Sequence, residues 1–112
     1  MITIDTLRAW GANVDEGLQR CMNIEAFYLR LVNSLNGDTK VAQLQAALDQ
    51  QDLAAAFEIA HGLKGVYLNL ALTPLAEPVS RLSDLLKART EMDYSGLMAQ
   101  IQEQKEKFDA LF

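Results

Sequence analysis

The sequence predicts an all-α fold: an up-down antiparallel four-helix bundle with one or two short N-terminal helices packed across it. Three observations point there. Apolar residues recur at three- and four-residue spacing, and nowhere do apolar and polar residues alternate convincingly, as a half-buried strand requires. Half of the residues are hydrophobic, only two are proline, and Ala, Leu, Gln, Glu and Asp are abundant, which favours helix on intrinsic propensity. The connections between periodic segments are short, and short connections set neighbouring helices antiparallel.

The elements follow in order. A first short helix covers Ile4 to Trp10 and ends at Gly11. Asn13 caps a second, with Glu16 three residues later completing a box-like cap. Asn23 is expected to cap the third, whose apolar face is Ile24, Phe27, Tyr28, Leu31 and Leu35, and Gly37 ends it. Asp38 is expected to cap the fourth, which carries Val41, Leu44 and Leu48. Asp49-Gln50-Gln51-Asp52 reads as a turn, and the fifth helix runs from about Leu53 to Leu72. Thr73-Pro74 opens the sixth with proline in the first turn. Pro78 removes one early backbone bond there, so a bend or an irregular first turn is expected. Leu75, Val79, Leu82 and Leu86 make its buried stripe. Asp93 is expected to cap the last helix, where Tyr94, Leu97, Ile101, Phe108 and Leu111 repeat at heptad-like spacing.

A chain of 112 residues suits a single domain, residues 1–112, able to bury a core without disulfides or metals. Its net charge of −5 repels nucleic-acid phosphates and anionic lipid heads, so neither is expected as a partner. No apolar run approaches the roughly 20 residues that span a bilayer. The start, Met1-Ile2-Thr3-Ile4-Asp5, lacks the basic-then-apolar pattern of a signal peptide. The lone cysteine, Cys21, excludes an internal disulfide, and a reducing, cytoplasmic setting is expected. Its spacing from Leu18 puts Cys21 on a buried stripe as a small hydrophobe rather than a nucleophile.

Chemistry concentrates on the fifth helix. At about 100° per residue, Ala56, Ile59, Ala60, Leu63, Val66, Tyr67 and Leu70 cluster on one side, the expected core face. His61, two steps from Leu63, lies about 200° away and points outward. It is the only histidine in the chain. Helical spacing surrounds it with Phe57, Glu58, Lys64 and Gly65. Lys64 puts an ammonium where an anion on His61 would sit, and Gly65 bares the imidazole. A helix-interior glycine costs about 1 kcal/mol relative to alanine. Gly62 and Gly65 fall within four residues, which points to a need for access or for close packing. Phe57 and Leu68 share the histidine's face and are expected to form a small apolar docking patch with Glu58 and Lys64 at its edge; cover by neighbouring helices is the alternative.

The stretch Ala60-His61-Gly62-Leu63-Lys64-Gly65, followed by Asn69-Leu70 and then Leu75, resembles the signature of histidine-containing phosphotransfer (HPt) domains, roughly A-H-x-L-K-G, then N-L-G, then a leucine on the next helix. Val14 to Met22 and Phe27 to Leu31 are similar to the N-terminal part of free-standing bacterial members, and the likeness weakens after about Lys87. Two positions depart from the pattern. Ala71 stands where the family usually has glycine and is expected to lengthen the fifth helix slightly. Ser83 stands where the facing helix often offers Gln or Glu to the imidazole; a hydroxyl accepts the same bond but reaches less far, leaving a water bridge or an unheld ring as alternatives.

The resemblance implies a phosphoryl carrier without ATP-dependent kinase activity. His61 is its phosphoacceptor, Lys64 steadies the phosphate and Gly65 gives access. The implied partners are a response-regulator receiver domain and a hybrid sensor histidine kinase, and the carrier is expected to be a monomer. It needs no cofactor of its own, since Mg²⁺ comes with the receiver. Consistently, the chain has no G-x-x-x-x-G-K-[ST] loop and no paired metal ligands with a second histidine. The competing reading is a degenerate HPt fold serving as an adaptor that binds a signalling partner without phosphotransfer.

Overall fold

Seven helices and no strand build the chain in the computed structural model, which describes residues 1–112. They are α1 (Ile4–Trp10), α2 (Val14–Arg20), α3 (Glu25–Asn33), α4 (Lys40–Asp49), α5 (Leu53–Asn69), α6 (Thr73–Lys87) and α7 (Ser95–Asp109). Helices α4 to α7 form the up-down bundle: α5 packs between α4 and α6, and α7 closes the ring against α6 and α4. The short α1–α3 lie against it. Tyr28 Oη donates to the Leu70 carbonyl at 2.9 Å, and the Asn13 N–H donates to the Ala71 carbonyl at 2.9 Å. Trp10 packs against Phe108 with the rings tilted and their centroids 5.4 Å apart, and it donates its indole N–H to Gln104.

The caps show how far local sequence decides helix starts. Asn13 caps α2 as expected, its Oδ1 accepting from the Glu16 N–H while its amide donates to the Glu16 carboxylate. Thr3 and Thr6 make the equivalent box for α1, and Asp52 caps α5 through the Ala55 N–H. Asn23, Asp38 and Asp93 do not cap. Asn23 sits in the left-handed turn that leaves α2 (φ +58°), so Ile24 becomes the N-cap of α3. Asp38 and Asp93 each stand one residue ahead of the N-cap, yet each still accepts a first N–H, from Lys40 at 3.2 Å and Ser95 at 2.9 Å. The bond from Ser95 holds the Asp93 carboxyl below the usual carboxylate range.

The expected extension of α5 is not observed. The helix ends at Asn69, and Ala71 turns into the left-handed region at φ +54°. The Leu72 N–H closes back on the Tyr67 carbonyl and the Ala71 N–H on the Leu68 carbonyl, the two bonds of a Schellman end. This turn presents the Leu70 and Ala71 carbonyls to Tyr28 and Asn13, so docking the N-terminal helices fixes it. α6 is continuous from Thr73 to Lys87, with Pro78 inside it.

The core draws Ala56, Ala60, Leu63 and Tyr67 from α5, the whole predicted stripe of α6, and Leu97, Ile101 and Phe108 from α7. Two expectations need correction. In α3 the buried residues are Tyr28 and Val32, while Ile24 and Phe27 are exposed. In α5, Val66 is 40% exposed because it lines an open groove with Leu35, Ile59 and Leu63. Lys105 is buried among the α7 core residues, its ammonium held by Asp109 at 2.6 Å and the Leu35 carbonyl at 3.2 Å.

Candidate functional site

The site sits mid-way along α5, a seventeen-residue helix anchored at both ends by its Asp52 cap and its Schellman turn. His61 is exposed, as its angular position requires, and its imidazole makes no hydrogen bond within the chain. What touches the ring is Phe57, one turn earlier. Their centroids are 5.5 Å apart and their planes 26° from parallel. Phe57 is half-buried and leans on the core, whereas Leu68 is 44% exposed. The two alternatives for this apolar pair are therefore divided between its members: one residue is partly covered, and the other is open.

Both helix glycines beside the histidine face solvent. A Cβ added at Gly62 or Gly65 would meet nothing within 4 Å, so neither serves close helix packing. Gly17 is the packing glycine: a Cβ there would fall 2.5 Å from the Tyr28 ring and 2.8 Å from the Leu70 carbonyl oxygen.

Lys64 is anchored across the helix pair. Its Nζ donates to Asp84 Oδ1 on α6 at 3.0 Å, which draws the ammonium toward the α5–α6 seam on the flank that also carries His61 and Phe57. Asp84 escaped sequence reasoning because the contact depends on the register between two helices. Glu58 is exposed at the rim. Ser83 is buried and makes no hydrogen bond to the imidazole. Ser83 therefore does not tether the ring directly. No three His, Cys, Asp or Glu side chains come together in a metal-binding arrangement.

The arrangement is thus a solvent-facing imidazole on a rigid helix, with one side walled by an aromatic ring and a cation one turn away. The family model for the Hpt domain matches residues 35–111, which takes in α4 to α7 and all of this site. The chain belongs to the Hpt domain family. No curated protein and no solved structure matches it. Hpt domains are phosphocarrier modules of two-component signalling, not kinases, and they interact with receiver domains and kinases in phosphorelays. Helices α1 to α3 lie outside the matched Hpt segment and attach to it through Tyr28, Asn13 and Trp10. No helix is long and apolar enough to cross a membrane.

Proposed function

We propose that this protein carries a phosphoryl group on His61 between receiver-domain aspartates of a cytoplasmic phosphorelay. The observation that carries the reading is the setting of the chain's only histidine: exposed on α5, unbonded, and inside the A-H-x-L-K-G stretch of the matched segment. A neutral imidazole is a competent nucleophile near pH 7. Its nitrogen far from the backbone attacks the phosphorus of an aspartyl phosphate in line. The N–P bond forms as the P–O bond to the aspartate breaks, and the carboxylate leaves. The reverse step loads the next receiver.

The carrier's own contribution is access and charge. Gly62 and Gly65 leave space for the receiver to close on the ring, Phe57 fixes one side of it, and the Lys64 ammonium favours the phosphorylated product. The receiver brings Mg²⁺ and most of the transition-state stabilisation. A hybrid sensor kinase is the upstream source, and the carrier acts as a monomer. The test is transfer of labelled phosphate from a phosphorylated receiver. His61→Gln keeps the fold and abolishes labelling. An acid-stable label that persists in the variant would show that the site is not a phosphohistidine. A wild-type chain that binds receivers but never takes label would instead be the adaptor.

A further inference from the structure

Of the asparagines in the chain, only Asn36 is followed by glycine. It stands in the connection between α3, which ends at Asn33, and α4, which starts at Lys40. Asn36 and Gly37 are both exposed, and Gly37 takes φ +69° with nothing within 4 Å of where a Cβ would lie. The Asn36 carboxamide forms no hydrogen bond within the chain, whereas those of Asn13 and Asn33 donate to Glu16 and to the Leu29 carbonyl. Asn13, Asn23 and Asn69 precede Val14, Ile24 and Leu70, whose side chains crowd the following amide nitrogen. Glycine has no Cβ, so the Gly37 nitrogen lies open to the carboxamide carbon of Asn36.

One bond restrains that nitrogen. The Gly37 N–H donates to Asp109 Oδ1 at 3.2 Å, at the end of α7. The bond holds the peptide in place, and the carboxylate opposes loss of the N–H proton, because an amide anion beside it would be a second negative charge. We propose that Asn36 is a site of spontaneous deamidation and that Asp109 slows the reaction by holding the attacking nitrogen. The Gly37 nitrogen gives up its proton to solvent hydroxide and bonds to the side-chain carbonyl carbon of Asn36. The carbon–nitrogen bond of the carboxamide breaks, and its nitrogen takes a proton and leaves as ammonia. Water then opens the cyclic imide at either carbonyl, giving aspartate or β-linked isoaspartate. Either product adds a carboxylate next to a turn that already holds Asp38 and Asp109, and the β-linked form lengthens the main chain by a methylene. Leu35 and Asp38 of this turn line the groove along α5 with Gly62 and Leu63, so the change falls beside the helix that carries His61. The inference does not depend on phosphotransfer.

The test follows the tryptic segment Leu31 to Lys40, which contains Asn33 as an internal reference. Wild type, Asp109→Ala, the double variant Asp109→Ala with Lys105→Met, and a synthetic peptide of the same segment are aged at neutral and mildly alkaline pH. Fragment mass spectrometry reads conversion at each asparagine, and thermal unfolding is measured alongside. Conversion is expected at Asn36 and not at Asn33, faster at the higher pH, and slower in folded wild type than in the peptide. Both Asp109 variants are expected to convert roughly three- to tenfold faster than wild type, the worth of one exposed hydrogen bond. The double variant regains stability without regaining the bond to Gly37, so its rate separates that bond from general loosening of the fold. A wild-type rate in the double variant, or a slower one, overturns the role of Asp109. An Asn36 that stays intact in every folded protein while the peptide converts overturns the site itself.

Discussion

Phe57 stacks on His61 with ring centroids 5.5 Å apart, and neither nitrogen of the imidazole is hydrogen-bonded within the chain. The aromatic wall therefore limits how the ring turns. Phe57→Leu, which keeps the core contact and loses the stacking, is expected to slow transfer from a phosphorylated receiver while shifting stability by less than about 1.5 kcal/mol. Leu68→Asp tests docking alone, because Leu68 is open to solvent. It is expected to weaken receiver binding and leave thermal unfolding within about 0.5 kcal/mol of wild type. Unchanged binding by titration calorimetry would remove Leu68 from the docking patch.

Glycines on two helices give opposite outcomes under the same substitution. At Gly65 an added methyl meets nothing, so Gly65→Ala is expected to stabilise by up to about 1 kcal/mol. At Gly17 the same methyl collides with a ring and a backbone carbonyl, and Gly17→Ala is expected to destabilise by about 1–3 kcal/mol. Urea unfolding of the two variants checks the signs. Gly65→Leu, folded by circular dichroism, is expected to slow phosphotransfer at every salt concentration. Wild-type transfer by that variant would mean that access to the ring is not what the glycine supplies.

Lys64 divides its charge between Asp84 and any anion on His61. Lys64→Gln is expected to lower the phosphohistidine level at equilibrium with a phosphorylated receiver, with the gap closing in high salt. Asp84→Asn releases the ammonium and removes a nearby negative charge, so it is expected to raise that level. The pair is solvent-exposed on the Asp84 side, and its loss is expected to change stability by no more than about 1 kcal/mol. Equal phosphohistidine levels in all three proteins would separate Lys64 from the chemistry.

The ammonium of Lys105 is buried and depends on Asp109, which also accepts from the Gly37 N–H at 3.2 Å. Asp109→Ala leaves the cation without its counter-charge and unpins the turn before α4. The carboxylate is one-third exposed, so the expected loss is about 2 kcal/mol, below the range for a fully buried pair. Lys105→Met in the same background is expected to recover most of it. Chemical denaturation of the single and double variants measures the coupling.

Burial raises the Tyr28 phenol to about 12 and pushes the Tyr67 phenol up as well, because the anionic form loses water. A folded-state value above the unfolded one of about 10 means the folded chain resists losing these protons. Their contribution to stability is complete below about pH 10 and is lost as pH rises toward 12 and beyond. Absorbance of tyrosinate and helicity, followed together, are expected to change in one step for these two residues. Ionisation of both with the fold intact would contradict their buried setting.

The sequence by itself determined what depends on one helix at a time. Apolar spacing located the helices, and adjacent side chains set the caps at Asn13 and the turn at Gly11. The helical angle placed His61 outward with Phe57, Lys64 and Gly65 around it, because that angle is a property of the backbone. Tertiary structure decided everything that needs a second element. Periodicity gives an angle about an axis, but it does not say which neighbour covers the arc or how two helices slide past each other. Val66 has core spacing on α5 but stays exposed beside Leu35 and Ile59, and Ala71 turns out of the helix where its own carbonyl and that of Leu70 are claimed by Asn13 and Tyr28. Lys105 has the spacing of a core residue, four after Ile101 and three before Phe108, but only Asp109 and the Leu35 carbonyl, brought in by the fold, let its charge be buried there. The pairing of Lys64 with Asp84 belongs to the same class: it is set by the axial register of α5 against α6, which the Leu70–Leu72 turn and the packed core fix together.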